Sequence, residues 1–128
     1  GANFNFGVFD MALTPSARAF GDERLFLRTV DMVQFRAAFL PGEPNLGDPD
    51  ISPLHADLQN LCPALFTIGT RDALIDDSLF MHARWLAAGN KGYLDIYPGA
   101  PHAFFRLGDA QAQSSIGQQI EFICKQLQ

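Results

Sequence analysis

Hydrophobic positions along the chain fall into short extended runs separated by longer helical stripes. Asn3 to Phe9 (NFNFGVF) alternates in part, with Phe4, Phe6 and Val8 on one face, and predicts a strand. Asp10 to Asp22 holds Thr14-Pro15-Ser16 and Gly21 and reads as a loop. From Asp22 to Phe39 the residues Phe26, Val30, Val33 and Ala37 recur at helical spacing, with Asp22 placed to cap the helix and Pro41-Gly42 to stop it. Residues 41–57 (PGEPNLGDPDISPLHAD) contain four prolines and two glycines, which predicts a long irregular connection of the kind that more often has a function than not. Ala64 to Gly69 (ALFTIG) is an apolar run with Pro63 before it, the pattern of a strand buried on both faces. Asp76 to Ala88 predicts a helix with Leu79, Ala83, Leu86 and Ala87 inward, Asp76 and Asp77 at its positive end, and Gly89-Asn90 as its stop. Gly92 to Tyr97 (GYLDIY) predicts a strand ending at Pro98-Gly99. Asp109 to Leu127 predicts a last helix striped by Ile116, Ile120, Ile123, Cys124 and Leu127.

Strands alternating with helices predict an α/β domain with a parallel sheet covered by helices. The 128 residues suffice for one such domain, 1–128, and are too few for two. Successive strands of this kind deliver chemistry in the loops at their carboxyl ends. Those loops are Asp10 to Ser16, Thr70 to Asp77 and Pro98 to Phe104.

Composition narrows the function classes. With 48% hydrophobic and 18% charged residues the chain has the means to fold, which excludes a disordered solvating segment. A net charge of −5 leaves no basic surface for phosphate backbones, so no nucleic-acid partner is expected. No apolar run approaches the roughly 18 residues of a membrane span. No export signal reads at Gly1-Ala2-Asn3, so the expected location is the cytoplasm, although a leader on a missing front would not show. Cys62 and Cys124 are too few for a disulfide framework and not spaced for zinc, and read as reduced core residues. No cluster of His, Asp and Glu suggests a metal, and no cofactor is expected. Twelve Phe against two Tyr and one Trp suit a large dry core or an apolar pocket.

Two of the three rim loops hold groups that could work together. Asp72 lies just past the strand ending at Gly69, and His102 just past the strand ending at Tyr97, thirty residues on. One helix and one strand separate them, and parallel strands joined that way are usually neighbours. An Asp that accepts from one ring nitrogen of a His fixes its tautomer and stabilises the imidazolium formed at the other nitrogen. On spacing alone the plainer reading prevails, His102 as a solvated or core histidine and Asp72 as a cap or turn residue. His82, beside Leu79 and Leu86, reads as a partly buried helix residue, and His55 as a surface hydrogen-bonding group.

Four motifs then occur in order: Ile51 to Asp57 (ISPLHAD), Gly69 to Asp77 (GTRDALIDD), Trp85 to Gly89 (WLAAG) and Tyr97 to Phe104 (YPGAPHAF). Over residues 4 to 127 this set resembles an α/β-hydrolase, and more narrowly the C-terminal part of the hormone-sensitive-lipase-like carboxylesterases. That family carries a "SPL" loop, then "D-x-L-x-D-E", "L-x-x-A-G" and "Y-x-G-x-x-H-x-F". The resemblance implies the C-terminal part of an α/β-hydrolase fold, with Asp72 as triad acid and His102 as general base. It also implies Asp76-Asp77 as the acidic pair opening the next helix, and Ser52-Pro53-Leu54 as a loop packed near the acid. Ala73 stands where the family usually has Pro, Asp77 where it has Glu, and Ala103 where it has Gly, a change expected to restrict the backbone after His102.

The nucleophile of this fold sits upstream of the acid in a Gly-x-Ser-x-Gly elbow. No such pattern occurs here. Gln113-Ser114-Ser115-Ile116-Gly117 lies after the His in a predicted helix, and Ser16 lacks elbow glycines. The His-Gly-Gly-Gly-type oxyanion loop is absent too. The resemblance therefore implies the back portion of an ester hydrolase, expected to be inactive alone, whose intact parent would take a small-molecule ester. Two alternatives stay open: a non-catalytic half-domain serving as a binding or assembly module, or a peptidase or lactone hydrolase of the same fold. Self-association, or pairing with an N-terminal fragment through the Phe4–Phe9 strand edge, is also expected.

Overall fold

The computed structural model describes residues 1–23 and 25–127. Strands β1 (Ala2–Asn5), β2 (Ala64–Arg71) and β3 (Gly92–Pro101) form a parallel sheet in the order β1-β2-β3. Helix α1 (Pro15–Ala19) and helix α2 (Thr29–Phe39) lie between β1 and β2. Helix α3 (Ile75–Ala87) connects β2 to β3, and α4 (Ala110–Gln126) closes the chain. The alternating architecture expected from the sequence is the one observed, three parallel strands alternating with helices.

Side chains on β2 alternate between two helical layers, as the pleat requires. Phe66 is fully buried and meets the rings of Phe4, Phe9 and Trp85 on the α3 side. The opposite face sets the buried Leu65 beside polar residues of β1. Asn3 and Asn5 each donate from Nδ2 to Gln119 Oε1 of α4 at 3.0 Å, and Gln119 Nε2 donates to Ser115 Oγ.

That polarity corrects the expected orientation of the last helix. Its buried residues are Ala112, Ser115 and Phe122, whereas Ile116, Ile120, Ile123, Cys124 and Leu127 face outward. A polar strand face selects the helix face that can hydrogen-bond and approach closely, not the most apolar one. Cys62, in the turn before β2, is exposed as well, so neither cysteine is a core residue.

The other helices also differ from their predicted stripes. In α3 the inward residues are Asp77, Ser78, Met81 and Trp85, while Ala83, Leu86 and Ala87 are exposed. Hydrogen bonds that bury Asp77 turn the helix onto this face. His82 is half-buried against the Phe66 ring. Helix α2 begins at Thr29, not Asp22, and position 24 of the predicted helix lies outside the described residues. Its start is set by Arg28 and Asp31, whose carboxylate accepts from the Arg28 backbone and guanidinium. Of α2 only Met32 is buried, and Phe26, Val30, Val33 and Ala37 are exposed.

The first strand is shorter than predicted. Phe6 adopts φ of 53°, which ends β1 at Asn5 and sends its ring away from Phe4. Phe4 packs with the α3-side cluster and Phe6 with Phe104 and Phe105, while Val8 is exposed. The segment predicted as a loop after Asp10 holds the short helix α1, opened by Thr14 and Pro15.

Removing the Phe66 ring from this cluster leaves a cavity at the centre of the sheet. Phe66→Ala is expected to cost about 3–5 kcal/mol of stability, read as a lowered midpoint in urea unfolding.

Candidate active site

Asp72 directly follows β2 and begins the turn into α3. Its Oδ1 accepts from Leu74 N–H at 2.9 Å and its carbonyl from Ile75 N–H, so the residue makes the local turn expected of an Asp. The same carboxylate has a second partner. His102 Nδ1 lies 2.9 Å from Asp72 Oδ2 and 3.2 Å from Oδ1. The structure thus brings together the two residues that the spacing singled out, and Asp72 is a turn residue and a histidine partner at once.

The meeting depends on a distortion in β3. Gly69 pairs with Tyr97 and Arg71 with Pro101, so β3 spends two more residues than β2 over this stretch. The strand continues through Pro98-Gly99, where it was expected to stop, by bulging there. Gly99 takes φ of 74°, and its N–H donates to Thr70 Oγ1. The bulge presses Ala100 onto Gly69: a Cβ on Gly69 would stand 2.1 Å from the Ala100 carbonyl oxygen. Only glycine permits this approach, which returns His102 toward Asp72.

Burial differs between the partners in a useful way. The Asp72 side chain is 0% exposed and that of His102 is 23% exposed. A carboxylate can only accept, so the ring hydrogen sits on Nδ1 and Nε2 is left as the acceptor. The His102 ring packs at 5.2 Å from the Phe6 ring, which itself stacks on Phe105 and meets Phe104 edge-on. This aromatic support was missed in the sequence, where Phe6 was grouped with Phe4.

The other motif residues build the frame. Asp77 is fully buried; its Oδ1 accepts from Phe9 N–H at 2.7 Å and Asp10 N–H at 3.0 Å, and its Oδ2 from Thr14 Oγ1 at 2.5 Å. Burial pushes this carboxyl above its ordinary range, against the three bonds that pull it down. Asp76 Oδ2 accepts from Ser16 N–H, and Ser16 Oγ accepts from Asp76 N–H while donating to the Ala73 carbonyl. Ser16 is therefore a structural hydroxyl. The Thr-Pro-Ser string, a helix-opening signal, was the clue to this junction.

Ser52 Oγ accepts from Met11 N–H and donates to the Leu46 carbonyl, and Leu54 N–H donates to the Phe9 carbonyl. The "SPL" loop thus packs on the Phe9–Met11 segment, and its recorded hydrogen bonds do not reach Asp72. His55 Nε2 lies 3.9 Å from Asp10 Oδ1. An apolar groove of about 320 Å³ opens between this segment and α2, lined by Val8, Met11, Leu13, Leu27, Met32, Phe35, Arg36 and Phe39. Leu13, Leu27 and Met32 belong to the same buried cluster as Phe6 and Phe104. Among the described residues no group of three metal-ligating side chains is found.

A family model described as alpha/beta hydrolase fold matches residues 7–106. An esterase of Acinetobacter venetianus is 28% identical over 116 residues, 88% of this chain and 38% of the relative. An AB hydrolase superfamily protein of Schizosaccharomyces pombe is 29% identical over 79 residues, 59% of this chain and 23% of the relative. The crystal structure of EstE7, a hormone-sensitive-lipase homologue from a metagenome library, superposes with a TM-score of 0.90 at 27% identity, covering 98% of this chain and 44% of that one. A second hormone-sensitive lipase from a metagenome library gives 0.88 at 28% identity, covering 96% and 43%. The chain spans less than half the length of each of these relatives.

Ala103, directly after His102, takes φ of 56°, so the restriction expected at this position is present as a left-handed alanine. Ala103→Gly is expected to raise stability by about 0.5–1 kcal/mol, seen as a higher urea midpoint. An unchanged or lower midpoint would show that the strain is already relieved by its surroundings.

Proposed function

The chain belongs to the α/β-hydrolase fold family, and on that premise we propose that it is the carboxyl-side portion of a carboxylic ester hydrolase, with Asp72 and His102 as the acid and base of a Ser-His-Asp triad. The observation that carries this reading is the 2.9 Å contact from His102 Nδ1 to a fully buried carboxylate. It leaves Nε2 as the proton acceptor on the less buried side of the pair. The esterase and hormone-sensitive-lipase names of the relatives favour an ester over a peptide or lactone substrate.

In this reading a serine from the part of the protein outside these residues attacks the ester carbonyl. His102 Nε2 takes the hydroxyl proton as the tetrahedral intermediate forms, and Asp72 stabilises the resulting imidazolium. The imidazolium returns the proton to the leaving alkoxide, giving an alcohol and an acyl-enzyme. Water then repeats the cycle, releasing the acid and restoring the serine. The apolar groove against α2 suits the acyl chain of such an ester: its size falls in the range of small-molecule sites, and Arg36, its one charged lining residue, is held by donating to the Met11 carbonyl. Among the described residues no helix is long and apolar enough to cross a membrane.

A second reading, association with further polypeptide, is supported by separate features. Strand β1 lies at the sheet edge, and the outward residues Ile116, Ile120, Ile123 and Leu127 form an exposed apolar stripe. The edge is the four residues Ala2–Asn5, shorter than the Phe4–Phe9 edge expected from the sequence.

The isolated 128 residues are expected to hydrolyse p-nitrophenyl acetate no faster when His102 is present than in His102→Ala. In a full-length protein containing this chain, His102→Ala is expected to lower kcat by about 10⁶ and Asp72→Asn by about 10⁴. His102-dependent turnover by the isolated chain would overturn the division of the triad. Light scattering of the isolated chain is expected to give a mass above that of one copy. A clean monomer at high concentration rejects the association reading.

A further inference from the structure

Asp77 is the most deeply committed charged group outside the Asp72–His102 pair. It is fully buried, no cation pairs with it among the described residues, and all three of its recorded partners come from residues 9–14. A buried carboxylate held only by neutral donors is costly, and here both oxygens are occupied by one segment of chain. That segment supplies Met11 and Leu13 to one wall of the apolar groove. Asp77 itself stands in the first turn of α3, five positions after Asp72, and the Asp72 carboxylate holds the intervening Leu74 N–H. Two consecutive turns of chain therefore carry the carboxylate that orients His102 and the carboxylate that holds the groove wall.

We propose that Asp77 is a positioning residue for substrate: through Phe9, Asp10 and Thr14 it fixes the apolar groove relative to His102, and so sets which acyl chains reach the reacting carbonyl. The proposal rests on the esterase reading and names the group that couples its two parts. Leu13 shows how firmly the segment is held, since it is buried at φ of 67° on the residue before Thr14. The neighbouring Asp76–Ser16 bonds fasten the start of α1, and Ser52, Leu54 and Arg36 hold Phe9 and Met11, so that removing Asp77 loosens residues 9–14 without detaching the segment.

Isosteric replacement separates positioning from charge. In Asp77→Asn the side-chain oxygen still accepts from Phe9 and Asp10, and its NH₂ can donate to a reoriented Thr14 hydroxyl. In Asp77→Ala all three bonds are lost, and in Thr14→Val only one. The test uses a full-length protein containing this chain, with p-nitrophenyl acetate and p-nitrophenyl octanoate. Asp77→Ala is expected to raise KM for the octanoate about tenfold or more, while kcat for the acetate changes by less than about threefold. Thr14→Val is expected to shift the same ratio by a smaller factor, and Asp77→Asn to keep it. If Asp77→Ala does not fold, Thr14→Val and Asp77→Asn decide the matter by the same ratio. Variants that lose stability with the octanoate-to-acetate ratio unchanged overturn the proposal and leave Asp77 a purely structural group. A wild-type protein without His102-dependent hydrolysis of either ester overturns instead the esterase reading beneath it.

Discussion

The close approach of β3 to β2 at Gly69 is the constraint from which the site follows. Parallel neighbours held in regular register would carry the two strand ends past each other, with residues 72 and 102 separated by the extra length of the second strand. The bulge at Pro98–Ala100 takes up that length. It is possible because Gly69 has no side chain to meet the Ala100 carbonyl and because Gly99 adopts a left-handed backbone. Everything at the rim is then local: the Asp72 turn into α3, the histidine one residue beyond β3, and the left-handed Ala103 that turns Phe104 into the core.

Two carboxylates in consecutive turns of chain show how environment divides roles. Asp72 and Asp77 are both buried, and both accept backbone N–H bonds. Asp72 also faces an imidazole ring that is partly open to solvent, so its fixed negative charge can stabilise a proton arriving on His102. Asp77 accepts from two amides and a hydroxyl, and burial, with a smaller push from the Asp10 charge, raises its carboxyl. The sign of this effect is definite. A carboxyl whose folded pKa lies above its unfolded value contributes stability below the unfolded value, and that contribution is lost as pH rises through the folded one. The charged form of Asp77 is thus held at a cost that the three bonds fixing the loop reduce without cancelling.

Much of this was legible in the sequence, and the parts that were not share a cause. The alternation of strands and helices could be read because apolar runs and Gly/Pro punctuation are local signals. Asp72 and His102 could be paired because topology makes consecutive parallel strands neighbours. The inward faces of the helices could not be read. Periodicity alone turns the largest apolar stripe inward, whereas α4 turns Ser115 and Gln119 toward Asn3 and Asn5, and α3 turns Asp77 inward. Each choice is made by a polar partner more than sixty residues away in sequence. The end of β1 was misplaced for a related reason. Phe6 leaves the strand to pack beside His102 and Phe104, contacts that a period-two pattern cannot encode.

The outward stripes bear on how such a domain is stabilised. A sheet of three strands with one partly polar face buries less apolar surface than its composition permits, and the Ile and Leu residues of α4 stay in water. Surface of that kind contributes little to stability in isolation and adds to it on contact with a complementary apolar surface, because transfer free energy is gained there. Helix α2 repeats the pattern with Val30, Val33, Phe35 and Phe39. Of these, Phe35 and Phe39 also line the apolar groove. Covering α2 would enclose the groove as well as bury the helix. In the proposed ester hydrolase, enclosure of the groove and recovery of hydrophobic stability would then be one event, coupled through the same two phenylalanines.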